Sequence, residues 1–250
     1  MSSTKVADGV TASGRLTGST AVITGASRGI GLAIAEAFVT CEARVVMIAR
    51  GEAALQAHSR RLGPRAIPLA CDVTSDNAVR AMAARVIEQF DGPPDILVNN
   101  AGTFTLARIE SVDPASFVAE LDTNLAAPFR LVHAFLPGMR ARQRGHIVTI
   151  GSIGDRTIFP ENASYAASKF GARALHEVLR LETRGSGVRA SLVSPAQVDT
   201  PMWDPIDPDH RPSFTPRSEM LRAGAVADAV VYVVTQPPDV NVDELRLSHS

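Results

Sequence analysis

The sequence predicts an α/β fold in which a parallel β-sheet lies between two layers of helices. Short apolar runs recur along the 250-residue chain, segments with helical periodicity separate them, and a glycine-rich segment joins the first run to the first helix. The runs are continuous rather than alternating, as expected for strands covered on both faces. Strands that alternate with helices require right-handed crossovers, so we predict a single Rossmann-type domain with a doubly wound sheet and three layers, α/β/α.

Six apolar runs predict the strands, and ligands in such sheets bind beyond the carboxyl ends of the strands. The closing segment "NVDELRLSHS" predicts a final strand without an extended tail. The six runs are 20–24, 44–49, 66–70, 95–99, 146–150 and 189–194.

Two segments between the strands show the spacing of amphipathic helices. Apolar side chains recur at i, i+3, i+4, i+7, i+8 and i+11 from Ile30 to Cys41, and again from Val79 to Phe90. Both segments are therefore predicted to pack one face against the sheet.

The domain is predicted to span residues 18–250, after a flexible N-terminal tail over 1–17 that lacks the apolar core of a secretion signal. Residues 201–217 contain five prolines and interrupt the alternation of strands and helices. Because long irregular segments at strand ends often serve as binding loops, we predict a lid-like insertion at about 201–225. A poorly ordered surface loop is the alternative.

Composition restricts the class of partner. The chain has 25 basic and 26 acidic residues and a net charge of −1, which argues against nucleic-acid and membrane-surface binding and favours a small-molecule substrate. Cys41 and Cys71 are too few for a disulfide framework, so a cytoplasmic location is expected. The six histidines are scattered, and no metal is predicted. No apolar segment is long enough for a membrane span.

The segment "TGASRGIG" over residues 24–31 joins the first strand to the first helix. Its glycines stand where a tight turn, a close approach to phosphate and close helix packing would each exclude a side chain. The helix start supplies amide donors for a pyrophosphate, and the segment lacks the GK[ST] ending of a triphosphate loop, so a dinucleotide is favoured over ATP. The predicted contacts are Gly25, Ser27, Arg28, Gly29, Ile30 and Gly31.

The residues after the second strand indicate which dinucleotide binds. A carboxylate at that strand end would bind the ribose 2'-hydroxyl of NAD, but Ala49 stands there and Arg50 follows. Arg50 and Arg28 could instead bind a 2'-phosphate, which favours NADP(H) over NAD(H). Two ordinary surface arginines are the alternative.

The ends of the third and fourth strands complete the predicted cofactor site. Asp72 and Val73 could bracket the adenine, and "NNAG" is small and amide-rich where the backbone would pass close to a ligand. The contacts expected from "NNAG" are Asn99, Ala101 and Gly102. The alternative is that any one of these segments is merely a turn at the end of a strand and binds no ligand.

The segment "ENASYAASKF" places Tyr165 and Lys169 one helical turn apart among small residues. One interpretation is an exposed helix pair without a function. The other is a proton donor beside a cation that lowers the pKa of its phenol, with space left for ligands.

Taken together, these motifs resemble the classical short-chain dehydrogenase/reductase family. Asn124 in "DTNLAAPF" and Ser152 in "IGSIG" stand in the family's order with the glycine loop, "NNAG" and "YAASK", and the resemblance covers roughly residues 18–247. It implies that Tyr165 exchanges a proton with the substrate oxygen during hydride transfer. It also implies that Lys169 lowers the Tyr165 pKa and binds the nicotinamide ribose.

The resemblance implies further roles. Ser152 would bind the reacting carbonyl, and Asn124 would hold a water that relays protons to Lys169. Pro195, Val198 and Thr200 would contact the nicotinamide end, although Ala196 replaces a glycine that is usual in the family and would be strained at a positive φ. A homodimer or homotetramer is implied, paired through the helices around 113–142 and 162–184.

The expected function is NADP(H)-dependent interconversion of a carbonyl and a secondary alcohol. A non-catalytic NADP-binding sensor or structural subunit is the main alternative, with sugar-nucleotide epimerisation and methyl transfer as further ones. Candidates for the substrate pocket are Asp155, Arg156, Phe159, Trp203 and Phe214, and loop surface or loop core is the other interpretation of these residues.

Overall fold

The computed structural model describes residues 14–211 and 214–250. The strands are β1 Thr20–Thr24, β2 Arg44–Ala49, β3 Ala66–Ala70, β4 Ile96–Asn99, β5 Gly145–Ile150, β6 Val188–Pro195, β7 Val198–Asp199, β8 Leu221–Arg222 and β9 Glu244–Leu247. The helices are α1 Gly29–Thr40, α2 Glu52–Leu62, α3 Asp76–Phe90, α4 Pro114–Leu121, α5 Ala127–Ala141, α6 Ala163–Glu182 and α7 Ala223–Val234. A π-helical turn, Asp122–Ala126, joins α4 to α5.

Seven strands form one parallel sheet in the order β3-β2-β1-β4-β5-β6-β9. The predicted fold class is confirmed, and the six predicted strands and the final strand are present. The predicted ends match those of β1, β2 and β3 and differ by one residue at the ends of β4, β5 and β6. The strand order reverses between β1 and β4, and a crevice opens at such a switch point beyond the carboxyl ends of the strands.

Two hydrophobic clusters cover the two faces of the sheet. Ile23 of β1 packs with α1 and α7 on one face, whereas its neighbour Val22 packs with α3 and α5 on the other. Because successive side chains of a strand point to opposite faces, both must be apolar, which explains the continuous apolar runs.

The N-terminal boundary differs from the prediction. Residues 1–13 of the expected tail lie outside the described residues, but Leu16 is only 4% exposed and packs in the core. Its backbone N–H donates to the Cys41 carbonyl at 2.8 Å. The end of the predicted tail therefore belongs to the folded domain, because one apolar residue in a polar segment is buried at the end of α1.

The predicted lid segment contains short 3-10 turns and then β8, which pairs in parallel with β7. Arg217 holds these turns together, since its guanidinium binds Asp199 at 3.0 Å and Asp204 at 2.5 Å while its N–H donates to Asp209 at 2.7 Å. The last residues of the predicted insertion begin α7. Opening and closing of this segment stays a prediction.

Candidate active site

The glycine loop crosses the carboxyl end of β1 and leads into α1. Gly25 has φ +69° and Gly29 has φ +55°, conformations that favour glycine. A Cβ at Gly25 would lie 2.8 Å from Asn100 Nδ2, and one at Gly31 would overlap the Gly25 carbonyl. The side chain of Arg28 makes no capping bond, so the first amides of α1 stay available to a ligand.

A buried threonine joins the glycine loop to the end of β4. Thr24 Oγ1 accepts the backbone N–H groups of Asn100 and Ala101, each at 3.0 Å. Asn100 Nδ2 in turn donates to the Thr24 carbonyl at 2.8 Å. The "TGASRGIG" and "NNAG" motifs thus form one hydrogen-bonded unit, which explains why both occur together.

A cleft of about 550 Å³ runs along this edge of the sheet. Every predicted cofactor-binding residue lines it except Gly31 and Asn99. Gly31 lies beneath the loop against Gly25, and Asn99 is buried in β4 with both side-chain polar atoms unpaired among the described residues. The predicted contacts thus share one cleft, apart from two residues that lie behind its surface, and their binding of a cofactor stays a prediction.

Two exposed cations and an acid stand at one end of the cleft. Neither Arg28 nor Arg50 forms an ion pair with any other residue that the structure describes, and both line the cleft. Asp72 accepts hydrogen bonds from the N–H and hydroxyl of Thr74, which lower the pKa of its carboxyl, and Arg50 lowers it further. This end presents unpaired positive charge toward the space where an adenosine ribose is expected.

Tyr165, Lys169 and Ser152 come together at the other end. The ammonium of Lys169 lies 5.7 Å from the centroid of the Tyr165 ring and donates to the Ile150 carbonyl at 3.1 Å. Helix α6 brings Tyr165 and Lys169 to the same face because they are one turn apart, and β5 ends just before Ser152. The interpretation of an exposed surface pair is therefore wrong, since both side chains line the cleft.

Burial dominates the ionisation of this pair. It raises the pKa of Tyr165 to about 12, an effect that the Ser152 hydroxyl reduces. It lowers the pKa of Lys169 to about 8, against the attraction of Asp155 and Glu120. The sequence predicted that Lys169 lowers the pKa of Tyr165; the structure shows a raised pKa, because desolvation outweighs the other influences.

Asp155 supports Ser152 from below the cleft. Its carboxylate is only 1% exposed and accepts from the Ser194 hydroxyl at 2.7 Å, from Arg156 Nε at 2.7 Å and from the Ser152 N–H at 3.5 Å. Arg156 also binds Glu244 of β9 at 2.6 Å. Asp155 and Arg156 were candidates for the substrate pocket, but the structure uses both in a buried ion network instead.

Asn124 lies in the π-helical turn and is buried, not in the cleft lining. Its Oδ1 accepts the Thr103 N–H at 2.8 Å, and its Nδ2 donates to the Thr103 carbonyl at 2.9 Å and to the Ser168 hydroxyl at 3.0 Å. The side chain thus ties the segment after "NNAG" to α6. A water held by Asn124 stays a prediction.

Ala196 lines the cleft without the strain that its sequence position suggested. The residue is absent from the positive-φ residues of the described chain, and its N–H donates to the Leu247 carbonyl at 2.8 Å. Pro195, Val198 and Thr200 beside it all line the cleft. An alanine is therefore accommodated at this position, because the backbone does not adopt a positive φ here.

Several site residues were not found from the sequence. Phe104 contacts Tyr165 with ring centroids 4.8 Å apart, although only its position two residues after "NNAG" could have signalled it. Glu120 is a buried carboxylate that accepts from the Ser164 hydroxyl at 2.6 Å, and burial raises its pKa. Further unpredicted residues that line the cleft are Ile48, Cys71, Thr103, Thr123 and Met202.

A cleft lined by the glycine loop, with a Tyr, Lys and Ser cluster at one end, is the arrangement expected of an oxidoreductase, and the comparisons identify the family. The family model described as short chain dehydrogenase matches residues 19–211. An uncharacterized oxidoreductase from Staphylococcus epidermidis is 34% identical over 227 residues, which are 91% of this chain and 95% of that protein. The chain belongs to the short-chain dehydrogenase family.

Solved structures agree with this assignment. A metagenomic short-chain oxidoreductase in complex with NADP has a TM-score of 0.82 at 34% identity, over 94% of this chain and 99% of that one. The closed form of a serine dehydrogenase complexed with NADP+ has a TM-score of 0.84 at 27% identity, over 91% and 94% of the two chains. None of the helices that the described ranges contain is both long and apolar enough to cross a membrane.

Proposed function

We propose that this protein is an NADP(H)-dependent oxidoreductase that interconverts a carbonyl compound and a secondary alcohol, with Tyr165 as the general acid or base. The observation that carries the proposal is the opening of Tyr165, Lys169 and Ser152 into the same cleft as the glycine loop. When bound, the nicotinamide would supply or accept the hydride.

The residues at the adenosine end fit a dinucleotide that carries a 2'-phosphate. Gly25 and Gly29 leave room for the pyrophosphate, and the uncapped start of α1 offers amide donors. Arg28 and Arg50 offer unpaired guanidinium groups for a phosphate, and β2 ends in Ala49 rather than a carboxylate. The NADP-bound metagenomic oxidoreductase supports the same preference.

Tyr165 is protonated at neutral pH, as an ordinary phenol is, and burial makes its deprotonation still less favourable by raising its pKa to about 12. It would therefore donate its phenolic proton to the substrate oxygen during reduction. Ser152 would hydrogen-bond the same oxygen and stabilise the developing negative charge. Lys169 would lie beside the resulting phenolate and stabilise its negative charge. This stabilisation acts after the proton has been transferred, since Tyr165 carries no charge in the resting enzyme.

The alternative is a non-catalytic NADP-binding sensor or structural subunit on the same fold. Nucleotide binding alone would account for the glycine loop and the arginines. It would give no reason to bury Lys169 and Tyr165 at a desolvation cost beside Ser152. We therefore favour the enzyme.

Replacement of Tyr165 by Phe tests the proposal. Tyr165→Phe should lower the turnover of ketones with NADPH at least about 100-fold, as expected for loss of a general acid, and leave NADPH affinity within about twofold. Turnover is followed by the absorbance of NADPH, and affinity by calorimetry. NADPH binding without turnover of any aldehyde or ketone by the parent enzyme would favour the sensor.

We also propose that the chain forms a homodimer or homotetramer. Phe170, Val178 and Leu181 of α6 are 39%, 52% and 54% exposed, whereas Leu179 of the same helix is buried. Exposed apolar residues along one helix are expected where a partner covers them. Light scattering at assay concentration should show a multiple of 26.5 kDa, and a monomeric mass would contradict the proposal.

A further inference from the structure

A continuous row of aromatic rings begins at Tyr165. Phe104 lies 4.8 Å from Tyr165 between ring centroids, Trp203 lies 5.5 Å from Phe104, and Phe214 lies 6.2 Å from Trp203. The interplanar angles are 65°, 72° and 71°, so each contact is edge-to-face. We call Phe104, Trp203 and Phe214 the aromatic wall.

Composition makes this wall unusual. The chain has nine Phe, two Tyr and one Trp, and four of these twelve residues, including the single Trp, form this row. The three wall residues come from two segments separated by about a hundred positions, and each is only half-buried. The three rings stand beside the cleft rather than in its lining, but each leaves part of its surface uncovered, and Phe104 does so next to Tyr165.

The wall offers ring surface but little free charge. The indole N–H of Trp203 donates to the Val198 carbonyl at 3.0 Å, so it is not available to a substrate. The guanidinium of Arg217 is paired with Asp199 and Asp204. Arg211 stacks on Phe214 at 5.7 Å, at the end of the row away from Tyr165.

Each positively charged side chain in the described part of the cleft lining either stands at the opposite end from Tyr165 or already has a hydrogen-bond partner. Among the described residues that line it, Arg28 and Arg50 stand at the adenosine end, and Lys169 donates to the Ile150 carbonyl. A carboxylate or phosphate on the substrate next to its carbonyl would therefore be desolvated without a dedicated partner, which is costly.

We propose that the aromatic wall selects neutral substrates that carry an aromatic ring next to the reacting carbonyl. This inference rests on the proposed function and specifies its substrate class. With the carbonyl oxygen at Tyr165, an attached ring would extend the edge-to-face row onto Phe104 and Trp203. A saturated ring of the same size would lose those directional contacts while burying a similar area.

The experiment uses a matched pair of ketones. Acetophenone and cyclohexyl methyl ketone share a skeleton and differ in the aromaticity of the ring. The readout is the ratio of their kcat/KM values with NADPH, in the parent enzyme and in Phe104→Leu and Trp203→Leu. Taking each ratio relative to the parent cancels the different intrinsic reactivity of the two ketones.

Each wall variant should shift the ratio about 3- to 10-fold toward the cyclohexyl ketone, as expected for the loss of one aromatic contact. Phe129→Leu is the matched control, because Phe129 is exposed on α5 and stacks only on His133 in the described ring contacts. Its ratio should equal that of the parent. Phenylglyoxylate, which adds a carboxylate beside the carbonyl, should have a higher KM than acetophenone, because no cation at the Tyr165 end of the described cleft lining is free to pair with it.

The outcomes separate this inference from the proposed function. If both ketones are reduced by the parent and the wall variants lower both kcat/KM values equally, the wall only supports the loop and the substrate class is wrong. A lower KM for phenylglyoxylate than for acetophenone would also overturn it. If no ketone is reduced by the parent, the proposed function fails as well. Should Trp203→Leu not fold, Phe104→Leu alone gives the same decision.

Discussion

Acidification should destabilise this protein through two buried histidines, His146 on β5 and His176 on α6. Each is only 2% exposed. His146 Nε2 pairs with the Ser191 hydroxyl at 2.8 Å, and His176 Nδ1 pairs with the Thr149 hydroxyl at 3.0 Å. The other ring nitrogen of each has no hydrogen-bond partner among the described residues. Protonation would therefore bury a charge and leave an N–H group unpaired.

The magnitude follows from the pKa values. Burial lowers the pKa of His146 from 6.5 to about 3 and that of His176 from 6.5 to about 4. Above pH 6.5 both rings are neutral in the folded and the unfolded chain, so they cause no pH dependence there. Below it the unfolded chain binds protons that the folded chain does not, so the free energy of unfolding falls as pH falls. At pH 5 the loss is about 2 kcal/mol for each histidine.

Urea denaturation followed by circular dichroism at pH 8 and pH 5 measures this loss. The parent should lose about 4 kcal/mol through the pair, and His146→Gln should lose about 2 kcal/mol less than the parent between the two pH values. His133→Gln is the control, because His133 is exposed on α5. An equal pH dependence in the parent and in His146→Gln would refute the reasoning, and His176→Gln provides a second variant if the first does not fold.

Three further substitutions test the site. Arg50→Asp should weaken NADPH binding at least about tenfold by removing a phosphate partner, with little effect on NADH; an unchanged NADPH preference in calorimetry would contradict that role. Because the pKa of Lys169 is about 8, kcat/KM for ketone reduction should decline as the pH rises above that value. Lys169→Ala should abolish this decline at high pH. A decline that persists in Lys169→Ala would assign it to another titrating group. Gly31→Ala should weaken both folding and cofactor binding, since its Cβ would overlap the Gly25 carbonyl, whereas Gly224→Ala, with nothing within 4 Å, should fold normally in a thermal melt.

Local pattern was sufficient to predict the sheet. Because β1 and β2 are covered on both faces, every residue of their central part is apolar, and the predicted ends coincide with the observed ones. The glycine loop was equally predictable, since its φ values and close contacts demand glycine at Gly25 and Gly29. Both features depend on short-range sequence.

The features that sequence analysis missed depend on long-range contacts. Phe104 and Trp203 meet only in the folded chain, so nothing near either residue indicates a row of rings. Carboxylates such as Asp155 and Glu120 are normally exposed, and their burial depends on hydroxyls from distant segments, since Ser194 of β6 donates to Asp155 and Ser164 of α6 donates to Glu120. The raised pKa of Tyr165 also escaped prediction, because desolvation depends on the whole environment.

The π-helical turn at Asp122–Ala126 allows the continuous helix formed by α4 and α5 to pack against two different parts of the structure. A π turn inserts one residue, and a regular helix rotates about 100° per residue, so α5 is out of phase with α4. Helix α4 can therefore direct Glu120 toward α6 while α5 directs Phe135 toward the sheet. Deleting one residue here should make the helix more regular and break the hydrogen bonds between Asn124 and Thr103, because Asn124 would rotate about the helix axis.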